Sequence, residues 1–100
     1  HNLDITVSIS DELKYNFIEK SLFDKHSNKI ALTKNEFKLL ELLILNKDKT
    51  VSKNEIENHI WYDDSNTDSA FKSLFLRLRN KIGKDTIINT FGIGYSIILK

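Results

Sequence analysis

Between Thr67 and Gly83 the chain carries its strictest periodic pattern, "TDSAFKSLFLRLRNKIG", in which Phe71, Phe75, Leu78 and Ile82 recur at intervals of four, three and four residues. At about 100° per residue these four side chains fall on one narrow stripe of a helix. A helix with one apolar stripe must bury it, so the segment has to lie across a core. With the stripe turned inward, Ser69, Ser73, Leu76, Arg77 and Asn80 point outward, and Lys72 and Arg79 flank them. Directly behind comes "TIINTFGIGYSIIL", two β-branched runs around Gly92 and Gly94, which predicts a hairpin.

Upstream, two helix starts share one grammar. "TKNE" at Thr33–Glu36 and "SKNE" at Ser52–Glu55 both predict capping boxes, in which the hydroxyl accepts from the N–H three residues on and the Glu returns to the cap's own N–H. The first opens "FKLLELLILN", whose Phe37, Leu40, Leu43 and Ile44 form a broad apolar face and predict a central helix. The second opens "IENHIW", where Ile56 and Ile60 stack one turn apart. "KTV" between them is a candidate short strand, and "YDDSNTD" is a polar loop that ends at a third cap near Asn66 or Thr67. Before Thr33 the chain alternates like strands. Ile5, Val7 and Ile9 share one face, Tyr15 and Phe17 another, "SLF" is a short run, and Ile30 and Leu32 close the section. Polar breaks at "SDE" and "DKHSNK" divide it into three or four short antiparallel strands.

Bulk properties narrow the function classes. The 100 residues suit one domain, 1–100, with 40 % hydrophobic content and no cysteine, hence no disulfide framework and no thiolate metal site. No apolar run approaches the roughly 20 residues that span a bilayer, so no membrane partner is expected. Because it starts on His1 and holds no methionine, the chain is expected to be a segment of a longer or processed protein. The net charge is only +1, but it is unevenly placed: a local +3 over residues 68–85 against −3 over residues 1–67. Such asymmetry steers a polyanion toward one face.

Chemistry of the catalytic kind has no support. His1, His26 and His59 are scattered without metal-ligand spacing, and Asp63, Asp64 and Asp68 lack the glycine and final Glu of a calcium loop. "GIG" lacks the rest of a dinucleotide fingerprint. No nucleophile–base arrangement is readable, so no enzyme activity, metal or cofactor is expected. The outer face of the 67–83 helix is different. Arg reads guanine bidentately, Asn reads adenine, Ser is permissive and an apolar group meets the thymine methyl, all in a groove wide enough for a helix. Leu76 there is open to three readings: a thymine contact, part of a protein interface, or a lone surface leucine.

Four segments, "LTKNEFKLLELLILN", "VSKNEIENHIW", "RLRNKI" and "TFGIGY", stand in an order and spacing that resemble the DNA-binding effector domain of OmpR/PhoB-type response regulators. The resemblance covers nearly the whole chain. It implies an α+β winged helix-turn-helix: an N-terminal antiparallel sheet over 1–32, three helices within 33–83, and a C-terminal β-hairpin wing over 86–99. It implies a third helix in the major groove and a wing at the neighbouring minor groove. By that resemblance Arg77, Lys72, Ser73 and Asn80 read or flank bases, with Ser69 and Leu76 on the same face. Arg79, Lys81, Lys53 and the wing backbone around Ile93 hold phosphates, and Phe91 and Tyr95 of the wing count among the DNA-binding residues. Trp61 matches an aromatic that packs near the DNA backbone; a plug at the helix end is the equal alternative. The loop Tyr62, Asp63, Asp64, Ser65 and Asn66 corresponds to a surface that contacts RNA polymerase in several members. The sequence departs from the family at Leu76 and Phe91, where basic residues are common, and at Ser96, where Arg is frequent.

The resemblance implies a sequence-specific, cytoplasmic transcription regulator of a two-component phosphorelay, whose N-terminal receiver domain lies outside these residues. Double-stranded DNA is the expected partner, with RNA polymerase and a second copy on DNA repeats as further candidates. The alternative is a winged helix used mainly for protein contacts, in dimerisation or on RNA polymerase, motivated by the low net charge, Leu76 and Phe91.

Overall fold

The computed structural model describes residues 6–61 and 68–99. Four short strands come first: β1 (Thr6–Ser8), β2 (Leu13–Asn16), β3 (Ser21–Asp24) and β4 (Lys29–Ala31). They pair in sequence order as an antiparallel sheet, with Val7 opposite Tyr15, Tyr15 opposite Leu22, and Leu22 opposite Ile30. Side chains opposite one another share a face, so these four form one inward row, and Tyr15 and Leu22 in its middle are fully buried. Ile9, just past β1, is buried as well, and Phe17 packs edge-on against Tyr15 at 5.1 Å. Ile5, expected on the same strand, lies outside the described residues.

Helix α1 (Lys34–Leu45) starts at a complete capping box: the Glu36 N–H donates to the Thr33 hydroxyl, and the Thr33 N–H donates to Glu36 Oε1 at 3.0 Å. Its buried face is Leu39, Leu40, Leu43 and Ile44; Phe37, expected on that face, is half-buried at its edge. Helix α2 (Lys53–Ile60) is capped by Ser52, whose hydroxyl accepts from the Glu55 N–H, but the Glu55 carboxylate makes no return bond, so the second box is only half made. Ile56 and Ile60 are its buried residues. Helix α3 (Asp68–Ile82) crosses them with Phe71, Phe75, Leu78 and Ile82 all buried, as the stripe requires, and Leu74 buried beside them. Gly83, at φ +105°, ends the helix with its N–H on the Arg79 carbonyl.

The chain then returns as a hairpin, β5 (Ile87–Thr90) and β6 (Gly94–Ile97), with Ile87 opposite Ile97 and both buried. The hairpin is tied to the body by a bridge in which the Val51 N–H donates to the Tyr95 carbonyl at 2.7 Å and Tyr95 returns the bond at 2.8 Å. The candidate strand at "KTV" is this single bridge. Gly94 is required there: a Cβ on it would collide with the Val51 carbonyl oxygen and lie 2.8 Å from its carbonyl carbon. The observed order is therefore sheet, three helices and hairpin, as the sequence predicts.

Candidate nucleic-acid interface

Helix α3 separates two environments. Its inner side joins an aromatic column: the Trp61 ring lies 6.5 Å from Phe71, Phe71 lies 4.9 Å from Phe75, and Phe75 stacks on Tyr95 at 4.4 Å. This column locks the end of α2, the middle of α3 and strand β6 together. Trp61 and Tyr95 are accordingly half-buried, with their rings spent on packing. On the outer side, Ser69, Lys72, Ser73, Leu76, Arg77 and Asn80 are all exposed, Leu76 by 59 %. The outward set expected from the helical period is thus brought together on one solvent-facing row.

Three of the basic side chains are engaged with the protein itself. Glu36 of the capping box has a side chain only 1 % exposed, yet it holds two cations of α3: Lys81 Nζ on Oε1 at 2.6 Å and Arg77 Nε beside Oε2 at 3.4 Å. Lys81 also donates to the Ala31 carbonyl at 3.1 Å, which anchors α3 to β4. Its ammonium therefore faces inward rather than along the outer row. Burial opposes ionisation of Glu36, but the Lys81 bond, the Thr33 N–H and the charges of Lys81 and Arg77 outweigh it and hold the carboxyl below its usual range. Arg77 keeps most of its guanidinium in solvent, its side chain being 57 % exposed. Arg79 is half-buried: one Nη approaches the Ile87 carbonyl at 3.5 Å and its buried Nε has no hydrogen-bond partner. It therefore lies in the crease between α3 and the hairpin.

Two clefts border the hairpin. One, of ≈ 390 Å³, runs between α3 and the hairpin and is lined by Lys72, Leu76, Arg79, Asn89 and Tyr95 among others. The other, of ≈ 440 Å³, lies between the N-terminal turn of α2, at Lys53 and Asn54, and the hairpin from Asn89 to Tyr95. Lys53 Nζ sits 5.3 Å above the Phe71 ring and 3.9 Å from Glu57, and its side chain remains about half in solvent. Asn89 lines both clefts and is exposed; sequence reasoning missed it, because the hairpin pattern separates inner from outer residues but does not say which strand borders α3. At the hairpin tip Phe91 is 97 % and Ile93 63 % exposed. The loop Tyr62–Asn66 falls outside the described residues. Among the described residues the arrangement presents a polar and basic helix face, a hairpin beside it and the start of a second helix across the hairpin cleft.

Comparison with known proteins places this geometry. The profile of the family described as "Transcriptional regulatory protein, C terminal" matches residues 27–97. The transcriptional regulatory protein QseB of Haemophilus influenzae is 39 % identical over 69 residues, covering 68 % of this chain and 31 % of QseB. The chain thus spans about a third of the length of that curated relative. Among solved structures, the DNA-binding domain of Bacillus subtilis CssR is 33 % identical, with TM-score 0.69 over 78 % of this chain and 90 % of that one. The Klebsiella pneumoniae RstA DNA-binding domain, solved in complex with the RstA box, shares the fold at TM-score 0.73 over 97 % of each chain with 16 % identity.

Proposed function

Because this chain belongs to the C-terminal DNA-binding family of transcriptional regulatory proteins, the OmpR/PhoB-type winged helix-turn-helix domains, we propose that it binds double-stranded DNA sequence-specifically as the effector part of a cytoplasmic two-component response regulator. The family is one of transcription regulators and not a known enzyme class. The observation that carries the proposal is the outer row of α3: six polar, basic or apolar side chains exposed along one face of a helix whose opposite face is wholly buried. In a major groove that row offers Arg77, Ser73 and Asn80 to base edges, Lys72 to a base or the nearest phosphate, and Leu76 to a thymine methyl. Phosphates fall to Lys53 and the first turn of α2, to the hairpin backbone around Ile93, and to the free edge of Arg79. Lys81 serves instead as the internal clasp between Glu36 and β4. A domain of the same fold, that of RstA, has been solved in complex with the RstA box, which supports a DNA partner for this chain.

The remaining partners rest on the family resemblance. RNA polymerase is assigned to the loop Tyr62–Asn66, phosphorylation to a receiver domain N-terminal to these residues, and pairing to tandem DNA half-sites, since one small module gains effective concentration when linked to a second. The test is selection from random duplex DNA followed by titration at two salt concentrations. About three to five phosphate contacts give a slope of log K against log salt of roughly −3 to −4.5. On the selected site Arg77→Ala costs about 1 to 3 kcal/mol and flattens preference at one base position, whereas Arg79→Ala weakens all sequences alike and lowers the slope by about one. An affinity independent of salt and of sequence removes the groove reading.

A further inference from the structure

The hairpin tip bears the most exposed large apolar side chain among the described residues, Phe91 at 97 %, with Ile93 at 63 % two residues on. Neither contributes to the core. The turn between them is closed by the Ile93 N–H on the Thr90 carbonyl at 2.9 Å, with Gly92 at φ +80°, so its shape is held by the backbone and not by the Phe91 ring. The base of the same hairpin is fixed to the body through Val51 and through the stack of Tyr95 on Phe75. A bare aromatic on an anchored turn is positioned to meet an outside partner.

The clefts indicate which partner. The tip borders Lys53 at the start of α2, and the strand leading to it borders Lys72 and Arg79 of α3, so cations flank the apolar point on both sides. The core of a protein-binding patch is depleted of charge inside a polar rim; here Lys53, half-exposed beside Glu57, together with Lys72 and Arg79 leaves a cationic excess around the tip, which matches a polyanion. With α3 in a major groove about 12 Å wide, the docking that the family resemblance implies sets the hairpin tip at the adjoining minor groove. Apolar side chains that enter a minor groove part neighbouring bases and kink the duplex. We propose that Phe91, backed by Ile93, is a wedge that inserts at a base step of the minor groove and bends the DNA. The bend adds indirect readout, favouring the easily unstacked pyrimidine–purine steps at the wing position. This rests on the DNA-binding reading above and adds to it a step-selective, shape-changing role for the tip.

The test uses a selected duplex with donor and acceptor dyes at its ends and 2-aminopurine placed in turn at steps of the wing-proximal flank. The wild-type chain shortens the end-to-end distance and raises 2-aminopurine emission at one step. Phe91→Ala leaves the fold intact, abolishes both signals and weakens binding roughly tenfold, the scale of a lost base–aromatic stack. Phe91→Trp restores them. Phe91→Lys restores affinity with a steeper salt slope but gives no bend. If Phe91→Ala binds but bends DNA and brightens 2-aminopurine as the wild type does, the wedge is refuted while DNA binding stands. If it changes only self-association in sedimentation, the tip belongs to a second copy and the wedge is again refuted. If the wild type binds no duplex at low salt, the DNA-binding reading fails and takes the wedge with it.

Discussion

In the four-stranded sheet Tyr15 and Leu22 face each other across β2 and β3 and are wholly buried, whereas the two-stranded hairpin carries Phe91 at its tip almost wholly in solvent. Both elements are antiparallel and both rest on the helices, yet they use their side chains in opposite directions. The sheet engages even the hydroxyl of its central tyrosine internally. The Tyr15 hydroxyl donates to Glu41 Oε2 at 2.6 Å, Lys20 meets the same oxygen at 2.7 Å, and burial together with the Glu41 carboxylate pushes the Tyr15 hydroxyl far above the ordinary phenol range. The hairpin is satisfied only at its base, through Ile87, Ile97, Tyr95 and the Val51 bridge. The contrast separates a scaffold, where each inward residue answers another residue of the chain, from a probe, where the outermost residues answer nothing inside it.

The strongest way to break that contrast is to remove the platform the hairpin shares with the core. Phe75→Ala should cost about 3 to 5 kcal/mol in urea melts, the range for truncating a buried Phe, because its ring is 6 % exposed and stacks on Tyr95 at 4.4 Å. A loss below about 1 kcal/mol, the scale of surface changes, would mean that the inner face of α3 is rotated away from the column. A narrower blow falls on the bridge. Gly94→Ala should cost about 2 to 3 kcal/mol through the collision with Val51 and the φ of +153°. The damage should be local: amide exchange quickens at Val51 and Tyr95 while Tyr15 and Leu22 keep their protection. Uniform loss across both elements would show that sheet and hairpin open as one cooperative unit and would erase the distinction drawn here.

The smallest effect sharpens the scaffold side. Glu36→Gln should cost about 1.5 kcal/mol near neutral pH, the low end for a hydrogen bond to a charged group, since Arg77 and Lys81 retain access to water. Its pH dependence is the diagnostic part. The folded carboxyl is held below its unfolded range, so its contribution is present above about pH 4.3 and is lost as acid takes the pH down through the folded value. Urea midpoints measured from about pH 7 to about pH 3 should therefore fall more steeply for the wild type than for Glu36→Gln. Parallel curves would assign the acid loss to other carboxylates.

What was legible in the sequence follows the range of the signal. The stripe of α3 and the Thr33 cap are written in residues a turn apart, and both stand in the structure as expected. Leu39 and Leu74 are buried beyond the expected faces because packing from two sides widens a stripe past what one helix's period shows. Glu36 was read as a cap alone; that its carboxylate also gathers Arg77 and Lys81 depends on helices brought together from distant parts of the chain, where no local pattern exists. The resemblance assigns Arg79 and Lys81 to phosphates, but long side chains turn toward whichever acceptor tertiary packing provides, here the Ile87 and Ala31 carbonyls. The outward row needed only the period, and it was recovered whole.

The pair of hydrogen bonds between Val51 and Tyr95 has a metrological consequence. Val51 lies just ahead of the Ser52 cap, so the start of α2 and the root of the hairpin are clamped at one point, while the Phe75–Tyr95 stack clamps α3 to the same strand. Helix and hairpin tip then behave as the two jaws of a caliper with a set opening. On the proposed docking, a duplex gripped by both would have to bring its adjacent grooves to that opening, and local twist and groove width would then be gauged along with the bases under α3.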